Sequence, residues 1–418
     1  MKKYKFLISG GGTGGHIYPA ISIADELSMN FHSSEILFVG SNQRMEMKKV
    51  PERGYNIIGL WISGIKRKLH FTNLLIPFKL LHSLIKSYFI IKKFKPDFVI
   101  GTGGFASGPI LYVASKLNLP TLIQEQNSYA GLTNKILSKS VETICVAYDG
   151  MSKYFPVNKI FFTGNPVRKE IFETNISKKE SDIFFNITRP NKVLLVLGGS
   201  LGAKSINEGI LNSINKIIDQ PIKLLWQVGK RYFESVENQL NKINIPNVKA
   251  LAFIKRMDLA YSIADIVISR AGALSISELT LAGKPSILVP SPNVSEDHQT
   301  KNAMSVVNQD AAMIIKEEDL DADFEKWYKD RKRHNSHRKR TSSTATMMGE
   351  RLERHQCPLA VDESNKRGLP HSLPFLGAPM HRGDGDGPHL QCSLNRRKSR
   401  PCQGLSKIIH PSPHPFGI

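Results

Sequence analysis

The chain has no run of 18 uncharged apolar residues, so no segment is expected to cross a bilayer as a helix. It has only four cysteines, none in metal-type pairs, which argues against a disulfide framework and favours a reducing compartment. A signal peptide is not expected either, because the short apolar run behind Lys2-Lys3 enters a glycine turn. Acids are scarce beside bases, 36 against 57, and the resulting charge of +21 suits an anionic partner such as a nucleotide or acidic lipid headgroups. At 418 residues and 41% hydrophobic content, the chain has material for two or more cores.

The N-terminal stretch organises what is present. Phe6-Leu7-Ile8-Ser9 reads as a buried strand, Gly10 to Gly15 as a glycine turn, and His16-Ile17-Tyr18-Pro19-Ala20 as the start of a helix. Glycines allow positive φ and close backbone approach. Helix-start N–H groups and the helix dipole favour an anion there. His16 is the one titratable side chain of this loop and a candidate general base. Gly10, Gly12 and Gly15 satisfy G-x-G-x-x-G, but a dinucleotide site also wants an acid closing the second strand. The second strand here runs into Gly40-Ser41-Asn42, so a dehydrogenase is disfavoured. A tight turn with no ligand is the competing reading.

Unbroken apolar segments alternate with helix-like ones to about residue 320. Strands are expected at 5–9, 36–39, 98–101, 121–124, 143–146 and 160–163, then at 192–197, 223–228, 248–250, 266–269 and 286–289. Strands without polar alternation, separated by helices, mean parallel sheets covered on both faces. Two series mean two doubly wound α/β domains, 1–164 and 165–322, parted near Gly164-Asn165-Pro166 and facing across a ligand cleft. Two more glycine turns follow apolar strands, at Gly101–Gly108 and Gly198–Ala203. Within residues 61–96 lies a helical stripe, Leu74, Phe78, Leu81, Ile85 and Phe89. Lys66, Arg67, Lys68, Lys79, Lys86, Lys92, Lys93 and Lys95 surround it. The stripe reads either as a face packed on the sheet or, with its basic flanks and the loop 61–65, as contact with an anionic membrane surface.

Several motifs together resemble one family, the MurG glycosyltransferases of peptidoglycan synthesis. They are the first loop, Gly101–Pro109, Gln124-Glu125-Gln126-Asn127 with Ala130–Asn134, Gly164–Arg168, Gly198–Ala203, and Ser269–Glu278, all in order over residues 1 to about 320. The resemblance implies a GT-B fold of two Rossmann-like domains. It implies inverting transfer of N-acetylglucosamine from UDP-N-acetylglucosamine to the C4 hydroxyl of lipid I, undecaprenyl-diphospho-muramoylpentapeptide. It also implies a peripheral protein on the cytoplasmic face of the bacterial inner membrane, with cell-wall synthesis proteins as further partners and no nucleic acid. No cofactor or catalytic metal is expected: the Asp-x-Asp triplets at 321–323 and 384–386 follow no apolar strand.

By resemblance, Thr13, Gly14 and Gly15 face the donor sugar and diphosphate, and His16 deprotonates or orients the acceptor hydroxyl. Asn127 contacts the donor sugar. Arg168 approaches the diphosphate and Ser200 bonds a phosphate oxygen. Ile254 offers backbone groups to uracil. Ala273, Leu274, Ser275, Ile276, Ser277 and Glu278 form a helix start whose Glu278 holds the ribose hydroxyls. Gln299 contacts sugar hydroxyls, while Thr300 stands where the family often has a second Gln. Glu125 is an alternative base that in this motif more readily buttresses its loop. Two other readings stay open: another lipid-acceptor GT-B transferase, against which Gln124–Asn134 argues, and a non-catalytic UDP-sugar-binding membrane-associated protein.

The last reading arises from residues 323–418. They hold eight of the thirteen histidines, three of the four cysteines and no strand or helix periodicity beyond about Trp327. This tail is expected to be irregular and unrelated to the family, as a reading-frame shift near 320–325 produces. The Arg331-Lys332-Arg333 and Arg338-Lys339-Arg340 clusters lack the aromatic interleaving of a nucleic-acid arm.

Overall fold

The computed structural model describes residues 3–320, apart from 65–73, 169–170, 172–175, 188–191, 200, 220, 244, 246 and 295–296. Ser200, the Lys66–Lys68 cluster, the Asp-x-Asp triplets at 321–323 and 384–386 and the 323–418 stretch therefore lie outside the described residues.

The first half alternates as expected: β1 (Lys5–Ser9), α1 (Gly14–Asn30), β2 (Glu35–Ser41), α2 (Glu46–Lys49), β3 (Asn56–Leu60), α3 (Ile76–Phe94), β4 (Phe98–Gly101), α4 (Ser107–Lys116), β5 (Thr121–Glu125), α5 (Leu132–Leu137), β6 (Thr143–Val146) and β7 (Ile160–Phe162). These strands make one seven-stranded sheet in the order β3-β2-β1-β4-β5-β6-β7. Every pairing is parallel; Leu7, for example, lies opposite Leu37 and Val99.

The second half comprises α6 (Lys178–Phe185), β8 (Lys192–Leu197), α7 (Lys204–Asn212), α8 (Ile214–Ile218), β9 (Ile222–Gln227), α9 (Phe233–Ile243), β10 (Val248–Leu251), α10 (Met257–Ile263), β11 (Ile266–Arg270), α11 (Ala273–Leu281), β12 (Ser286–Val289), α12 (His298–Val307) and β13 (Met313–Ile314). Its sheet, also parallel, has the order β10-β9-β8-β11-β12-β13. The sequence reading lacked β3 and β13, both edge strands and the latter only two residues long.

Each sheet has an apolar cluster on either face, which is why its strands show no polar alternation. Val193, Leu195 and Leu197 of β8 join one cluster, while Leu194 and Val196 join the other. Strand order reverses between β1 and β4 in the first sheet and between β8 and β11 in the second. Ligands of open α/β sheets sit outside the carboxyl ends of strands at such reversals. The first and third glycine turns follow β1 and β8, so both stand at these points.

Helix α3 does not pack its stripe on the sheet. Its buried residues are Ser83, Ser87, Ile90 and Ile91, whereas Leu74, Phe78, Leu81, Ile85 and Phe89 are 51–78% exposed. The apolar stripe turns outward, and small serines face the fold. Lys79 and Lys86 reach back from the same helix to the Ser63 hydroxyl (3.0 Å) and the Gly59 carbonyl (2.8 Å). Among the described residues no helix is long and apolar enough to cross a membrane.

Candidate active site

The first glycine turn is packed against the second because β1 and β4 are neighbours. Gly12, Gly103 and Gly104 have φ of 88°, 95° and 80°, a region that disfavours any side chain. A Cβ on Gly103 would lie 3.0 Å from the His16 ring, and one on Gly104 would strike the Gly11 carbonyl. The fully buried Glu46 carboxylate of α2 accepts hydrogen bonds from the Gly12 N–H (3.2 Å) and the Ser41 N–H (3.0 Å). Sequence reasoning missed Glu46, which looks like a solvated charge beside Arg44, Lys48 and Lys49.

Thr13, at the N-cap of α1, is extended and makes no side-chain cap. His16 follows in the first turn, half-buried. Its Nδ1 lies 2.9 Å from the Thr102 carbonyl and 3.1 Å from Gln126 Oε1. Both partners accept, so Nδ1 carries a proton, and in the neutral ring the lone pair is then on Nε2. A neutral imidazole held this way presents a base at Nε2.

Glu125 is buried, and both of its oxygens are engaged by its own loop. Oε1 accepts from the Asn127 N–H (3.1 Å) and Asn127 Nδ2 (3.2 Å), and Oε2 from the Gly131 N–H (3.0 Å) and Asn134 Nδ2 (2.9 Å). It braces the loop that carries Asn127. The Asn127 side-chain oxygen in turn accepts from Asn302 Nδ2 (3.1 Å) on α12, and Asn302 Oδ1 accepts from the Ser128 N–H (2.9 Å) and hydroxyl (3.0 Å). Beside this contact, Lys301 Nζ stands 3.8 Å from the Tyr129 ring centroid. Neither Asn302 nor Lys301 carries any periodic or motif signal in the sequence.

Arg168 and Glu278 lie together. Arg168 donates from Nε (3.1 Å) and Nη2 (2.9 Å) to Glu278 Oε1, and the Tyr261 hydroxyl donates to Oε2 (3.1 Å). Burial, reinforced by the Glu278 carboxylate, pushes the Tyr261 phenol well above its ordinary range, so it remains a donor. A carboxylate has about four lone-pair positions. Three are used here, which leaves acceptor capacity on Oε2 for a hydroxyl. Glu278 sits on α11, whose N-cap Gly272 is extended and whose Ala273 and Ile276 anchor it in the core. Leu274, Ser275 and Ser277 occupy the same first turns, partly exposed.

Ile254 is buried, and its N–H is donated to Gln227 Oε1 (2.9 Å). Of its two backbone groups, the N–H is thus engaged within the fold. Gln227 Nε2 also reaches the Gly199 carbonyl (3.0 Å), so this buried amide ties the third glycine turn to the 252–256 loop. Gln299 accepts from the Ser291 N–H (2.9 Å) through its side-chain oxygen. The Thr300 hydroxyl donates to Asp297 (2.7 Å) within its own helix start. Among the described residues no group of three or more His, Cys, Asp or Glu side chains is placed to hold a metal ion.

Comparisons with known proteins place both halves of the chain in one glycosyltransferase family. The glycosyltransferase family 28 N-terminal domain matches residues 6–146, and the family 28 C-terminal domain matches residues 193–354, beyond the composition change at 323. The UDP-N-acetylglucosamine--N-acetylmuramyl-(pentapeptide) pyrophosphoryl-undecaprenol N-acetylglucosamine transferase of Flavobacterium psychrophilum is 53% identical over 324 residues, 78% of this chain and 88% of that enzyme. The enzyme of the same name from Bacteroides fragilis is 49% identical over 315 residues, 75% of this chain and 83% of its own. Among solved structures, Acinetobacter baumannii MurG superposes with a TM-score of 0.62 at 28% identity, covering 78% of this chain and 91% of that one. The calicheamicin glycosyltransferase CalG4, at a TM-score of 0.55 and 15% identity over 77% of this chain and 87% of its own, shares the fold.

Proposed function

Because the chain belongs to the MurG family of family 28 glycosyltransferases, we infer that it transfers N-acetylglucosamine from UDP-N-acetylglucosamine to lipid I, forming lipid II for peptidoglycan. The fold is GT-B: two parallel α/β domains, parted in this reading at residues 164 and 165. The observation that carries the site assignment is the bonding of His16. With Nδ1–H committed to Thr102 and Gln126, Nε2 is the basic nitrogen on the acceptor side.

In the reaction the acceptor C4 hydroxyl attacks the anomeric carbon while the bond to the UDP oxygen breaks. The hydroxyl proton passes to His16 Nε2, and the electron pair leaves with UDP, inverting the anomeric centre. Negative charge grows on the diphosphate as the sugar becomes oxocarbenium-like. Arg168 and the N–H groups of the glycine turns, including Thr13, Gly14 and Gly15, supply donors for it. Glu278 takes the ribose hydroxyls, with Tyr261 and Arg168 fixing its carboxylate. Asn127 and Gln299 hold sugar hydroxyls from opposite halves, and the Ile254 backbone borders the uracil.

Acceptor delivery uses the exposed face of α3. Leu74, Phe78, Leu81, Ile85 and Phe89 form an outward apolar stripe flanked by lysines, which suits a peripheral position on the anionic cytoplasmic face of the membrane. Replacing Phe78, Leu81 and Phe89 together by Ser lowers recovery of the protein on anionic vesicles in a flotation assay. Unchanged recovery removes this face as the contact.

The function is tested by radiolabelled transfer from UDP-N-acetylglucosamine to a lipid I analogue. Labelled lipid product is expected. Donor binding without product supports instead a protein that holds UDP-sugar and does not turn over.

A further inference from the structure

A file of buried amides links His16 to the donor helix. His16 Nδ1–H donates to Gln126 Oε1 (3.1 Å), Gln126 Nε2 donates to Gln124 Oε1, and Gln124 Nε2 donates to Asn165 Oδ1 (3.0 Å). Asn165 Nδ2 donates to the Ser277 hydroxyl (3.0 Å), and that hydroxyl donates to the Ala273 carbonyl (3.1 Å) at the start of α11. Gln124, Gln126 and Asn165 are each no more than 8% exposed.

The direction of every link is forced by backbone carbonyls, which only accept. Gln126 Nε2 faces the Thr102 (2.7 Å) and Gln124 (3.1 Å) carbonyls, so its oxygen must face His16. Asn165 Nδ2 faces the Gln126 carbonyl (3.1 Å), so its oxygen must face Gln124. Gln124 must then present nitrogen to Asn165 and oxygen to Gln126. No amide in the file can turn over without setting two acceptors against each other. Buried groups left unpaired in that way are costly, and aligned hydrogen bonds reinforce one another.

We propose that Gln126, Gln124 and Asn165 are positioning residues that, beside the Thr102 carbonyl, hold His16 in its Nδ1-protonated tautomer and couple that hold to the seating of α11 through Ser277. The acceptor-side base is thereby set correctly when the donor-binding helix is in place. Amides do not relay protons here; the file transmits orientation. Its carbonyl end also faces the imidazolium that forms when Nε2 takes the acceptor proton. The catalytic consequence rests on the reading of His16 as the base, but the tautomer lock does not.

The test is imidazole nitrogen NMR on the full chain with labelled histidine, His16 being identified by the signals missing in His16→Gln. The parent protein should show one protonated and one lone-pair nitrogen for His16. In Asn165→Ala and Gln126→Leu the two shifts should converge as tautomers mix, with Ser277→Ala showing a smaller convergence. The Asn165→Ala turnover number should fall roughly 10- to 100-fold while the KM for the sugar nucleotide changes much less. If Gln126→Leu does not fold, Asn165→Ala and Ser277→Ala carry the test, each checked by its thermal melt. His16 nitrogen shifts unchanged in folded Asn165→Ala would overturn the proposal. Normal turnover in His16→Ala, with tautomers still mixed in Asn165→Ala, removes the base assignment and leaves the lock standing.

Discussion

The two halves of the molecule open on the same pattern, an apolar strand, a glycine turn and a helix, yet the turns are held in different ways. After β1, the turn is gripped by side chains: Glu46 holds the Gly12 N–H, and the His16 ring lies against Gly103. After β8, the turn is held mainly by backbone. Gly202 and Gly229 have φ of 82° and 91°; a Cβ on Gly202 would strike the Val228 carbonyl, and one on Gly229 would strike the Gly202 main chain. The difference follows what each turn has to do. In the proposed reading the first positions the His16 ring, which takes directional side-chain contacts. In that reading the second presents peptide groups to the nucleotide, which takes close backbone approach.

That contrast yields predictions of decreasing size. His16→Ala should lower the turnover number by roughly 10²- to 10⁴-fold, the usual range for a general base, with donor affinity measured by calorimetry nearly unchanged. Glu278→Ala should do the reverse in the second half. Losing a charged acceptor for the ribose should weaken UDP-N-acetylglucosamine binding by ~1.5–3 kcal/mol, seen as a raised Kd. Gly202→Ala should cost about 1–3 kcal/mol of stability, read from denaturant unfolding, because positive φ and backbone crowding both oppose a side chain. Gly15→Ala is the mildest. Its φ is not in the left-handed region, and a Cβ there meets only the Thr13 hydroxyl at 3.6 Å, so stability should stay within ~0.5 kcal/mol. A Gly15→Ala protein as unstable as Gly202→Ala would erase the distinction between the turns.

Much of the fold was legible because parallel strands covered on both faces must be apolar throughout. The β1, β4, β6, β8 and β12 strands fall on the expected residues. The edge strand β3 was not legible, since Asn56 and Gly59 interrupt its pattern and one side of it lacks a neighbour strand. The α3 stripe was visible as a period, but period alone does not say which side is covered, and here the serine side is. At the site, Asn127, Arg168 and Glu278 were singled out by resemblance to the family's motifs, and His16 also as the one titratable side chain of its glycine turn. Their partners were not. Glu46, Gln126, Asn302 and Gln227 act through contacts spanning 27 to 175 positions or through a buried carboxylate, and a single polar letter carries no trace of that.

The central claim is that His16 removes the acceptor proton while the second half holds the donor. The most direct measurement is single-turnover transfer, with His16→Ala loaded with labelled UDP-N-acetylglucosamine and then mixed rapidly with a lipid I analogue. The account predicts a donor complex of parental affinity that transfers its sugar at least a hundred-fold more slowly, about the lower bound for losing a general base. Transfer at the parental rate from that complex would contradict it.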